Sequence, residues 1–102
     1  MDFINDGAFY ACSYLESIKL PSTTTMLGEK CFAFCESLDY VYLPKTLHVI
    51  GDGCFYGTYM EEIEYEGTMK NFENVLEKYF DESTRGDIQY IKCVDGVYEL
   101  KQ

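Results

Sequence analysis

Apolar positions recur along this chain in one fixed order, three times over. Phe9, Phe32 and Phe55, spaced 23 residues apart, open the copies. Cys12, Cys35 and Thr58 come three residues later. Leu15, Leu38 and Met60 follow, then Ile18, Val41 and Ile63, then Leu20, Leu43 and Tyr65. Pro21 and Pro44 close the first two copies, and Glu66 stands there in the third. A period between 20 and 50 residues marks stacked coils, in which each unit buries its apolar face only against its neighbours. The pattern therefore predicts a single domain over 1–102, built as a repeat solenoid with units at about 6–28, 29–51 and 52–67.

Within a unit, Leu38, Val41 and Leu43 give the spacing L-x-x-V-x-L. Residues two apart share a face of a strand, so Val41 and Leu43 point inward together. Pro44 ends the strand because it has no N–H to donate. Thr46 to Ile50 reads as a second extended stretch, and Gly51 turns the chain. Crowded apolar residues at Cys31, Phe32, Phe34 and Cys35 predict a short buried helical turn over 29–35.

After Gly67 the pattern changes. Thr68 is placed to cap a helix running from Met69 to about Phe80, with Phe72, Val75, Leu76, Tyr79 and Phe80 at helical spacing. The segment Asp81 to Asp87 reads as a loop. Ile88, Ile91 and Cys93 restate the strand spacing, and Asp95-Gly96 between apolar residues predicts a hairpin. The helix and hairpin form a terminal cap over 68–102.

Composition narrows the partners. Eighteen acidic against eight basic residues leave a net charge of −10, which repels phosphate backbones and anionic membrane surfaces. Nucleic acid is thus excluded as an expected partner. No run approaches a membrane span, and the first residues lack the basic and apolar regions of a signal peptide. Met1 falls inside a repeat unit, so a longer parent array is expected. Ten Tyr and seven Phe without Trp predict a core of rings.

Catalysis has little to draw on. His48 is the sole histidine and sits between Leu47 and Val49, which points it outward. The five cysteines include no Cys-x-x-Cys, and no Gly-rich phosphate loop occurs. Cys12 and Cys35 share one column, while Ala8, Cys31 and Cys54 share another; a slot that accepts Ala or Cys is small and buried. A packed, reduced ladder is the expectation, with disulfides between column mates left open. Neither an enzyme, nor a metal site, nor a cofactor is expected. Arg85-Gly86-Asp87 matches a tripeptide read by integrins, although Gly in a turn explains it equally.

The run from Leu27-Gly28 through Cys31-Phe32, Cys35, Leu38 and Val41 to Leu43-Pro44 resembles the BspA-like leucine-rich repeats, also called the Treponema pallidum type. Tyr65-Glu66-Gly67-Thr68, Phe72 and Cys93-Val94-Asp95-Gly96 are similar to the ending of arrays in that family. The resemblance implies a right-handed superhelix with short strands on its concave side and short helical turns on the convex side. It also implies surface-exposed or secreted proteins involved in adhesion. The outward strand positions then form three columns on the concave face. Glu16, Asp39, Glu61 and Gln89 make the first. Ser17, Tyr40, Glu62 and Tyr90 make the second, and Lys19, Tyr42, Glu64 and Lys92 the third. Concave solenoid faces are common binding surfaces, and exposed Tyr is enriched at interfaces. The expected activity is binding of a protein or glycan through Lys19, Asp39, Tyr40, Tyr42, Glu62, Glu64, Tyr90 and Lys92, with Arg85, Gly86 and Asp87 as a secondary motif. The alternative is a structural terminal segment of a larger solenoid with no ligand of its own. End-to-end self-association through the open first coil is a further expectation.

Overall fold

The structure is a computed structural model that describes residues 2–101. The first two repeats each supply one strand to each of two sheets, and the third supplies one strand to the larger sheet. One sheet has three parallel strands in the order β1 (Asp2–Ile4), β3 (Thr24–Leu27) and β5 (Val49–Ile50). The other has five, in the order β2 (Ser17–Lys19), β4 (Tyr40–Leu43), β6 (Glu62–Tyr65), β7 (Tyr90–Cys93) and β8 (Gly96–Glu99). Its first four strands are parallel, and β8 returns antiparallel from the Asp95-Gly96 turn. Of the stretch 46–50 expected to be extended, only Val49–Ile50 pairs as a strand.

The core lies between the sheets and the turns that join them. Stacked rings run through it: Phe9 on Phe32 at 5.3 Å, Phe32 on Phe55 at 5.7 Å, and Phe55 on Phe80 at 6.1 Å between centroids. Phe32 and Phe55 are wholly buried. Leu38, Val41 and Leu43 are buried too, whereas their first-coil equivalents Leu15 and Ile18 are only half-buried.

The helical turn predicted over 29–35 is a run of tight turns instead. Lys30 and Phe34 have positive φ, at 55° and 59°, and the same two columns are positive at Gly7 and Ala11 and at Gly53 and Gly57. A left-handed residue every fourth position breaks an α-ladder. Its donors then alternate. Ala33 N and Cys35 N bond back to Lys30 O and Phe32 O, while Phe32 N and Phe34 N reach across to Cys54 O and Tyr56 O of the next coil. Lateral bonding between coils has displaced helix.

The helix predicted to reach Phe80 also ends early. α1 spans Met69–Val75, and a 3₁₀ turn over Glu77–Tyr79 follows. Thr68 caps α1 by accepting from Asn71 N at 3.1 Å. Tightening after Leu76 buries both Leu76 and Phe80, so that Phe72 and Phe80 meet at 5.3 Å and close the ring column. Within the segment read as a loop, Glu82–Arg85 forms a short helix, α2, because the Asp81 carboxylate accepts from Thr84 N. Thr84 is buried, and its carbonyl takes the bond from Phe55 N that Cys54 O takes from Phe32 N. Thr84 is therefore the fourth member of the Ala8–Cys31–Cys54 column. Helix and hairpin lock together where Asp95 accepts from Met69 N at 2.9 Å and Val94 N donates to Gly67 O.

Candidate binding face

Pairs from the second and third outward columns read from the sequence lie in the strand register, whereas Glu16, Asp39, Glu61 and Gln89 precede the strands. Ser17 lies opposite Tyr40, and Glu62 opposite Tyr90. Lys19 lies opposite Tyr42, Tyr42 opposite Glu64, and Glu64 opposite Lys92. β8 extends both rows, with Glu99 beside Tyr90 and Val97 beside Lys92. Strand alternation turns Val41, Leu43, Ile63, Tyr65, Ile91 and Cys93 into the core and leaves these rows outside.

Tyr40 and Tyr42 are half-buried in the centre of the face, while Lys19, Asp39, Glu62 and Lys92 are exposed around them. The Lys19 ammonium sits 5.0 Å from the Tyr42 ring centroid. A cation over a ring at that distance is attracted by the ring's quadrupole. Partial burial, followed by the Glu64 carboxylate nearby, pushes the Tyr40 hydroxyl above its ordinary pKa. Glu16, Asp39, Glu61, Glu62 and Glu99 outnumber the two lysines, and the face is acidic.

One part of this surface was not foreseen. Lys19, Leu20, Pro21, Ser22, Tyr42, Pro44 and Glu66 line a shallow hollow of about 370 Å³ beyond the strand ends. The Pro21–Pro44 column marks it in the sequence, since both prolines stop their strands at the same height. A second feature lies on the turns. Tyr10, Phe34 and Tyr56 form an exposed edge-to-face ladder, at 5.7 and 5.5 Å between centroids. Ala33 leaves the space in the Tyr10–Tyr56 column that the Phe34 ring takes.

Arg85, Gly86 and Asp87 are not part of the strand face. Arg85 Nε donates to Ile88 O at 3.0 Å and Nη1 to Lys101 O at 2.9 Å. A Cβ added at Gly86 would lie 2.4 Å from Phe55 O. Arg85 thus braces the cap from within, Gly86 packs against the third coil at Phe55, and of the three Asp87 alone is exposed. His48 is exposed as expected, its Nδ1 against Thr46 O. Among the described residues, no group of three or more His, Cys, Asp or Glu is placed to hold a metal, and no helix is long and apolar enough to cross a membrane.

A family model described as a BspA type leucine rich repeat region (6 copies) matches residues 1–100. The chain belongs to the BspA-type leucine-rich repeats. No match was found among curated proteins or among solved structures. In this BspA-type chain Gly28 and Gly51, and likewise Pro21 and Pro44, recur one period apart.

Proposed function

We propose that this BspA-type chain is a non-enzymatic protein-interaction module, and that the outer face of its five-stranded sheet binds a basic, extended segment of a partner protein. The face would be the concave side of a right-handed leucine-rich-repeat superhelix, and the setting secreted or at a cell surface. The observation that carries this reading is the central row, in which Tyr42 lies between Lys19 and Glu64 and takes a cation over its ring. A Lys- or Arg-bearing segment would replace Lys19 over that ring and find the surrounding carboxylates.

Titration of a Lys/Arg-rich peptide by calorimetry tests it. Tyr42→Ala should weaken binding by about 1–2 kcal/mol, in line with interface aromatics, and binding should fall as salt rises. Glu29→Ala, on the turns, should leave it unchanged. Equal affinity in wild type and Tyr42→Ala would remove Tyr42 from the site. Binding of a neutral glycan in preference to the peptide would redirect the proposal to sugars.

The structural alternative draws support from the first coil. Phe3 is 57% exposed, and Phe9, Leu15 and Ile18 are half-buried where their second-coil equivalents are covered. Such a surface favours end-to-end packing. Light scattering that gives a monomer at high concentration would count against it.

A further inference from the structure

One pair of side chains in the core is used by neither the binding face nor the cap. Cys31 and Cys54 occupy the same column on successive coils, and their Sγ atoms are 3.3 Å apart. Both are wholly buried. The backbone holds the two coils in register on either side of them, through Lys30 N to Asp52 O and Phe32 N to Cys54 O, each at 3.0 Å. Closing such a contact to a bonded S–S distance takes about 1.2 Å of movement by two short side chains.

The other thiols are turned elsewhere. Cys35 Sγ donates to Phe9 O at 3.0 Å, and Cys93 Sγ points to Ile91 O at 3.6 Å. Cys12, the column mate of Cys35, is half-buried at the open first coil. Column position alone left two pairs open; the side-chain directions separate them.

We propose that Cys31 and Cys54 are an oxidation site, at which a small hydroperoxide converts the two thiols into a disulfide stapling the second coil to the third. The chemistry balances without any further reactant. The thiolate of one cysteine attacks a peroxide oxygen, the O–O bond breaks, and a sulfenic acid and hydroxide form. The partner sulfur then displaces the sulfenic oxygen: the S–S bond forms, the S–O bond breaks, and the oxygen leaves as water. Two thiols and one hydrogen peroxide give one disulfide and two waters. Both thiols are closed to solvent, so the oxidant must be small and reach them through local opening of the coils. Burial pushes the Cys54 thiol well above its ordinary pKa, which makes thiolate scarce and the reaction slow at neutral pH. The rate should therefore rise with pH. The staple is independent of the binding face.

The test is exposure of the folded chain to stoichiometric hydrogen peroxide, quenching with an alkylating agent, and mass spectrometry. Wild type is expected to lose two hydrogens and keep three of its five thiols alkylatable. Trypsin should release fragment 31–45 joined to 46–70, with fragment ions placing the link on Cys31 rather than Cys35. The oxidised chain should unfold at higher urea than the reduced one, and dithiothreitol should reverse both changes. Cys54→Ser should form no such link. Five alkylatable thiols after exposure, oxygen added without a link, or a link through Cys12 or Cys35 would each overturn the proposal. If Cys54→Ser does not fold, the wild-type fragment map still decides.

Discussion

Phe32→Ala is expected to cost roughly 3–5 kcal/mol, the usual range for removing a buried ring. Phe32 has no exposed surface and is stacked on both sides, by Phe9 at 5.3 Å and by Phe55 at 5.7 Å, with the planes within 5° of parallel. Neither neighbour can collapse into the space without losing its own register, because Phe9 N bonds to Cys31 O and Phe55 N to Thr84 O. Domains of this kind hold about 5–15 kcal/mol in all, so the loss is enough to unfold a marginal array. Urea denaturation followed by far-ultraviolet dichroism measures it. Phe9→Ala, at the half-buried end of the same column, should cost less. Equal effects of the two, or an unchanged midpoint for Phe32→Ala, would contradict the stacking.

Gly51→Ala is expected to destabilise the chain by about 1–3 kcal/mol, as forced overpacking does. A Cβ at Gly51 would fall 2.4 Å from both Glu29 N and Gly28 C. These are backbone atoms of the preceding coil and cannot swing aside as a side-chain tip would. Gly28 meets the same obstacle at Asp6 N, at 2.5 Å. Gly28 and Gly51 thus set how closely coils approach, and Gly51 N donating to Leu27 O at 2.7 Å is the bond that closeness permits. Thermal melting of the Gly51→Ala variant gives the answer, and a midpoint matching wild type would show that the coils have room to spare.

Much of this architecture was readable in one dimension, and the reason is the repeat itself. In a stacked coil each residue's neighbours are its own equivalents one period away. Columns in the sequence therefore become contacts in space. The rows Ser17–Tyr40 and Lys19–Tyr42–Glu64–Lys92, the ring column from Phe9 to Phe55, and the Asp95-Gly96 hairpin all follow from spacing plus strand alternation. The candidate face was legible for the same reason.

Where the repeat breaks, that logic stops. Phe80 and Thr84 complete the ring and small-residue columns from positions off the period, since a helix and its tightened end bring them there. The turn segments look helical in composition. Their donors, however, go sideways to the next coil, and only the assembled stack offers those acceptors. Arg85 looked like half of a recognition motif until its guanidinium was placed on Ile88 O and Lys101 O. The two cysteine columns were equivalent on paper. Side-chain rotation, which sequence does not record, set Cys31 against Cys54 and turned Cys35 to a carbonyl. The sequence by itself determined which residues share a column and which side of each strand is wet, because both depend only on period and alternation. The tertiary structure alone decided hydrogen-bond partners, rotamers and the closure of the array, because each depends on atoms from coils that are distant along the chain.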